Sequence, residues 1–272
     1  MKWIKIPLMA AVAALPLTAG MADAAIGAPT PGSRAAAPAD HVGSQGGTVV
    51  VPAGQTRTAF APCPAGRQPS GGGAVRSGTG LFMTASTPRG NGWEVKFSNE
   101  SGVERRGAAF VVCATGSHTR LADSPLTVDP HQQSVSSFLS CPTNQSPTGG
   151  GWETSGTDVV GLRFSGGTRS YHAVVFNNSN TTQSFNAVVL CSTIVHEPRL
   201  SSQITLQPGA EGIATAHCDP GQVASGGGSF PSGQAFIGAS RPLPDGTGWQ
   251  ITAENPTGTA QKVTAEATCT AA

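Results

Sequence analysis

The sequence predicts an all-β protein made of three tandem copies of one disulfide-stapled unit, and three observations carry that reading. First, a skeleton recurs: Cys63-Pro64, Gly71-Gly72-Gly73, Trp93, Asn99, Cys113; then Cys141-Pro142, Gly149-Gly150-Gly151, Tyr171, Asn177, Cys191; then Cys218, Pro220, Gly226-Gly227-Gly228, Trp249, Asn255, Cys269. The spacing from first cysteine to first glycine is the same each time (63→71, 141→149, 218→226), as is that from asparagine to second cysteine (99→113, 177→191, 255→269). A fixed internal period of this kind is the mark of a repeat architecture. Second, short β-rich runs broken by Pro and Gly fill each copy, and no 3.6-residue apolar period appears after residue 24. Third, the 6 cysteines fall two to a copy. An even number in an exported chain reads as disulfides.

Export is expected from the first residues. Lys2 and Lys5 precede an apolar run over 6–19, and Ala22-Asp23-Ala24 is a small-x-small cleavage site. Residues 1–24 therefore read as a signal peptide, and 25–40, rich in Ala, Pro and Gly, as a disordered linker. Pro7 and Pro16 interrupt the apolar run, which is shorter than the ~20 residues a spanning helix needs, so no membrane segment is expected after cleavage. Losing Lys2, Lys5 and Asp23 leaves 14 basic against 14 acidic residues, a neutral chain with no electrostatic footprint for nucleic acid.

The repeats run over 41–117, 118–195 and 196–272, with no linker between them. Two regular disulfide patterns are open: within repeats (Cys63–Cys113, Cys141–Cys191, Cys218–Cys269) or between successive ones (Cys113–Cys141, Cys191–Cys218). The first is preferred because it closes the same loop three times and makes each repeat self-contained. Each loop would contribute roughly 4 kcal/mol through lost unfolded-state entropy.

Within a repeat the order of elements follows from local chemistry. Residues 48–51 lead through Pro52-Ala53-Gly54 into 56–63, with counterparts at 126–128 into 134–141 and 204–206 into 212–218, which read as hairpins. Further strands are expected at 81–85, 159–164 and 235–239, at 93–99, 171–177 and 249–255, and finally up to each second cysteine. The glycine triplets lack the lysine and following helix of a phosphate loop, so they mark bulges or close backbone approach. Trp93, Val95 and Phe97 alternate as the core face of a strand, as do Tyr171, Ala173, Val175 and Trp249, Ile251, Ala253. Asn99, Asn177 and Asn255 cap the turns that follow. On the opposite face repeat two is apolar, with Val174, Phe176, Val188 and Leu190. That face is either covered by neighbouring repeats or offered to a protein partner or a second copy.

No hydrolase, metalloprotease or nucleotide-binding motif occurs, so a non-enzymatic role is expected. Two constellations are candidates for binding. His41, His118 and His196 stand 22, 23 and 22 residues before the first cysteine of their repeats. No cofactor is expected unless they meet on a pseudo-threefold axis, where they could form a zinc site; the preferred reading is that each starts a strand in solvent. His131, His172 and His217 lack repeat partners. The loops 87–92, 165–170 and 241–248 vary on a fixed framework and each carries an arginine, Arg89, Arg169 and Arg241. Trp152, beside Glu153, would stack on a sugar ring or pack internally.

The pattern Cys63-Pro64-Ala65-Gly66 through Gly71-Gly72-Gly73, Trp93 and Asn99 to Cys113 resembles a repeat of exported bacterial proteins, many actinobacterial, and of pilus-tip and phage-tail adhesin ends. Repeat two departs from it at Thr143-Asn144 and Tyr171. The resemblance implies a β fold and an extracellular setting, with adhesion as an analogy, and carries over no binding residues. The expected architecture is a compact pseudo-threefold β-prism-like assembly, the alternative three small sandwiches in a row. The expected function is a secreted binding or adhesion module for a glycan or cell surface. A structural or protein-interaction component, or a three-histidine metal protein, is the alternative.

Overall fold

A computed structural model describes residues 40–272, so the expected signal peptide and all of the linker but Asp40 lie outside the described residues. Repeat one contains β1 (His41–Gln45), β2 (Val49–Val51), β3 (Thr56–Pro62), β4 (Gln68–Arg76), β5 (Leu81–Pro88), β6 (Gly92–Asn99) and β7 (Arg105–Ala114). Repeat two contains β8 (Thr119–Ala122), β9 (Leu126–Val128), β10 (Gln133–Val135), β11 (Leu139–Ser140), β12 (Ser146–Thr154), β13 (Val159–Gly166), β14 (Ser170–Asn177) and β15 (Gln183–Ser192). Repeat three contains β16 (Glu197–Leu200), β17 (Ile204–Leu206), β18 (Glu211–His217), β19 (Gln222–Ser232), β20 (Phe236–Pro242), β21 (Gly248–Glu254) and β22 (Gln261–Ala271). No helix occurs among the described residues.

The strands form three antiparallel sheets, and every sheet is shared by two repeats. Repeats one and three build β1-β7-β4-β20-β21-β18, with β2 also on β7. Repeats one and two build β3-β6-β5-β12-β15-β8, with β9 on β15. Repeats two and three build β10-β14-β13-β19-β22-β16, with β11 on β14 and β17 on β22. The chain thus closes on itself: repeat three pairs back onto repeat one through Ser240 opposite Ala74. The other two seams place Trp152 opposite Ser86 and Phe164 opposite Ser229. Each repeat is a small two-layer sandwich, and three of them close into the pseudo-threefold prism.

This division corrects two expectations. The segments flanking Pro52-Ala53-Gly54 are not a hairpin, because β2 pairs with β7 and β3 with β6 in a different sheet. The turn is a corner that carries the chain from one layer to the other. Gly54 takes φ 70° there, and its N–H donates to Asn99 O at 2.8 Å. Nor is a repeat self-contained, since both of its layers continue into neighbours. The disulfides are the within-repeat set, Cys63–Cys113, Cys141–Cys191 and Cys218–Cys269, and they staple layer to layer. Asn144, where repeats one and three have Gly66 and Gly221, takes the same left-handed backbone (φ 71° against 78° and 80°). Asparagine is the side chain that best tolerates that region after glycine.

The glycine triplets explain how three repeats can meet. A Cβ on the first glycine would strike the next repeat's backbone: Gly71 against Gly226 Cα at 2.6 Å, Gly149 against Gly71 Cα at 2.7 Å, Gly226 against Gly149 Cα at 2.9 Å. These cyclic contacts place Gly71, Gly149 and Gly226 around the axis. One residue earlier the hydroxyls close a matching ring: Thr148 Oγ1 donates to Ser70 O (2.6 Å), Ser225 Oγ to Thr148 O (2.9 Å) and Ser70 Oγ to Ser225 O (3.1 Å). The second glycine seats the aromatic core residue of the facing layer, as Gly72 does for Trp93 and Gly227 for Trp249. Trp93, Tyr171 and Trp249 are all buried, as the alternation predicts.

The asparagines do more than cap a turn. Asn99 Nδ2 donates to Val51 O and Val103 O, both at 2.8 Å, while its Oδ1 accepts from Ser101 N at 3.0 Å. Asn177 and Asn255 repeat the pattern on Val128 O and Leu206 O. Each therefore ties the end of one layer to the corner strand of the other. The apolar second face of repeat two is covered by neighbours. Val174 and Phe176 pack with Phe82 of repeat one and Phe236 of repeat three, and Val188 and Leu190 are also buried. The expectation of an apolar docking patch there is corrected accordingly.

Candidate functional site at the seams

The three histidines do gather at one end of the axis, beyond the hydroxyl ring. His41 opens β1, and His118 and His196 directly precede β8 and β16. The His41 and His196 rings lie edge to face with centroids 6.1 Å apart. Burial pushes the pKa of His118 down to about 4, helped by the charge of His41. Burial likewise pushes His196 down to about 4, with His41 and His118 adding to the effect. His196 Nδ1–H donates to Ile194 O at 2.7 Å, which fixes its tautomer and leaves Nε2 a bare, buried acceptor. Among the described residues, however, no group of three His, Cys, Asp or Glu side chains could hold a metal ion. The histidines cluster without forming such a group, and the His41 and His196 rings pack edge to face. The expectation of histidines standing apart in solvent gives way to this cluster.

Trp152 is not a surface platform. It is fully buried, its indole N–H donates to Thr84 O at 3.2 Å, and its ring packs on Phe164 at 5.0 Å. It fills the space that Gly161 leaves open, where repeats one and three have Met83 and Ile237. The exchange of volume between two positions keeps the core filled.

Arg89, Arg169 and Arg241 are exposed, yet they are not structural equivalents. Register pairs Thr87, Ser165 and Arg241 with the residue after each core aromatic, so Arg89 and Arg169 lie further along their loops. What the loops do is wall the seams. Between repeats three and one, a cleft of 370 Å³ lies between His41 and Phe110 on one side and Arg241, Leu243 and Asp245 on the other. A cleft of 230 Å³ continues past Arg241 toward Gln250 and Glu211. Between repeats one and two, a cleft of 310 Å³ holds His118, Asn91 and Arg120. Across the Thr87-Pro88-Arg89 segment a further cleft of 400 Å³ holds Arg89, Glu94, Lys96, Glu153 and Asn186. The pairs of clefts are related by the pseudo-threefold axis, so each of these two seams carries a two-part groove.

The third seam is chemically different. Glu266 stands where the other repeats have Phe110 and Val188, and it is buried. Burial raises its pKa to about 8, against the opposing pull of Arg163 and of Gly166 N–H, which donates to it at 2.9 Å. Its carboxyl is therefore protonated at neutral pH. The Tyr171 phenol nearby finds no hydrogen-bond partner among the described residues, and burial raises its pKa.

Sequence reading found the loops but missed the strand residues that face them. Glu153 and Asn186 were not singled out as groove residues, although strand parity puts Glu153 outward once Trp152 is inward. Phe110 and Glu266 sit at matching positions, and only the seam gives them a role.

Fold and seams together define a class: an all-β, disulfide-stapled triple-repeat prism whose surface grooves lie where repeats join. No protein-family model matches the chain, and no curated protein matches it significantly.

Proposed function

We propose that this protein is a secreted, non-enzymatic binding or adhesion module that recognises a glycan or cell-surface ligand in its seam grooves. The observation that carries the reading is the placement of the variable loops. Residues 87–92 and 241–248 form the walls of two-part grooves on a scaffold cross-linked by three disulfides. Variable loops held by a rigid framework are where recognition surfaces usually sit. The disulfides suit an oxidising compartment, and the resemblance to repeats of exported adhesin ends points the same way. A protein partner seated on the apolar face of repeat two finds no support, since that face is interior.

The test is a pull-down of the mature chain against cell-envelope fractions, alongside a glycan array. Saturable retention that falls when the loop 241–248 or 87–92 is replaced by a Gly-Ser segment supports the reading. No retention above a denatured control on any fraction or glycan removes it.

A further inference from the structure

Resting on that reading, we infer that the groove between repeats one and two takes an oligosaccharide, laid across the outer face of β6, β5, β12 and β15. The location argues first. These four strands are interior to their sheet, so their backbone groups are used in the ladder. An extended peptide needs an unpaired strand edge or apolar pockets for alternate side chains. The outer face of these four strands offers no unpaired edge.

The lining argues second. Glu153 is held in place by three donors: Arg120 Nη2 at 2.7 Å and Thr87 Oγ1 at 3.1 Å on Oε1, and Asn186 Nδ2 at 3.4 Å on Oε2. A carboxylate offers about four acceptor sites, so Glu153 keeps acceptor capacity while its direction is fixed. Lys96 Nζ donates to Gly156 O at 2.6 Å and retains two of its three donors. Arg89 lies 3.9 Å from Glu94 with its side chain 65% exposed. Preorganised donors and acceptors of both kinds match a chain of hydroxyls that each donate and accept. The charges in the groove, Arg89, Lys96 and Arg120 against Glu94 and Glu153, sum to one positive. That suits a neutral sugar or one with a single uronate.

A third observation is Phe60. It is 43% exposed on β3 and stands opposite Glu94 in register, at the groove's border. An exposed aromatic beside carboxylates is a surface on which the C–H face of a pyranose can rest.

The experiment is calorimetric titration of the mature chain, residues 25–272, with three hexasaccharides: a neutral β-glucan, an N-acetylglucosamine oligomer and a glucan carrying a single glucuronate. At least one is expected to bind. Glu153→Gln and Asn186→Ala should each weaken it at least tenfold at unchanged thermal stability, and Arg106→Ala, on a 65% exposed side chain of β7 outside both grooves, should stay within twofold. Phe60→Ala, on an exposed side chain, carries the test should Glu153→Gln perturb folding. Saccharide binding indifferent to Glu153, Asn186 and Phe60 overturns this assignment and leaves the binding function standing. So does retention of a peptide or envelope protein with no hexasaccharide bound. No binding of any probe removes both.

Discussion

Gly149→Ala is the sharpest perturbation of the assembly, because it adds a single methyl where three repeats meet. The new Cβ would lie 2.7 Å from both Gly71 Cα and Ser70 O, distances that no rotamer change can relieve, since both atoms are backbone. One strand must move, and it belongs to another repeat. Overpacking of this kind costs about 1–3 kcal/mol, and a rigid backbone on the far side puts this case at the upper end, about 3 kcal/mol. For a folded unit of this size each kcal/mol lowers Tm by roughly 2–4 °C, so a fall of roughly 6–12 °C is expected. The assay is calorimetric unfolding with disulfides intact, with Gly47→Ala as control. A methyl at Gly47 meets nothing within 4 Å and should stay within about 0.5 kcal/mol. If Gly149→Ala were as harmless as Gly47→Ala, the glycines do not meet on an axis and the reasoning fails.

Stability should peak near pH 6.5. His118, His172 and His196 have folded pKa values of about 4, so below about 6.5 the unfolded chain binds more protons and stability falls with pH down to about 4. Glu266, raised to about 8, works in reverse: its unfolded form ionises near 4.5 and its folded form does not. Stability therefore declines again from pH 6.5 to 8, by about 2 kcal/mol. Glu266→Gln should flatten that alkaline limb in urea unfolding series, and an unchanged limb refutes the assignment. Trp152→Ala should cost about 3–5 kcal/mol by leaving a cavity against Gly161, read as a lower urea midpoint, whereas a surface tryptophan would cost little. Asn177→Ala should cost about 2–3 kcal/mol, because Val128 O and Thr181 O both lose a buried donor, again measured by urea unfolding.

Much of the framework was legible in the sequence because it is repeated. Three copies of the cysteine spacing expose the within-repeat disulfides, and the alternation around Trp93, Tyr171 and Trp249 exposes the inner face of a strand. The close approach at the glycine triplets could be read too, since a side chain is missing at the same place three times. The division of each repeat between two sheets could not. A turn such as Pro52-Ala53-Gly54 serves a hairpin or an inter-sheet corner equally well, and the choice depends on Asn99, 45 residues after Gly54, donating to Val51 O and accepting the corner into its own strand end. Trp152 misled for a related reason. It breaks the repeat pattern, and a departure from pattern looks like function. Here it answers a second departure, Gly161, which sits across the core from it. The histidine cluster shows the limit of symmetry as a guide: equivalence brings the three rings together, but ring orientation is set by local packing and by the Ile194 carbonyl.

Closure of the ring is the claim on which seams, grooves and axis all depend, and cross-strand nuclear Overhauser contacts between repeat one and repeat three test it most directly. The account predicts backbone contacts between Ala74 and Ser240, facing residues of β4 and β20. If repeat three showed contacts with repeat two alone, the chain would be an open row and the closed prism would be contradicted.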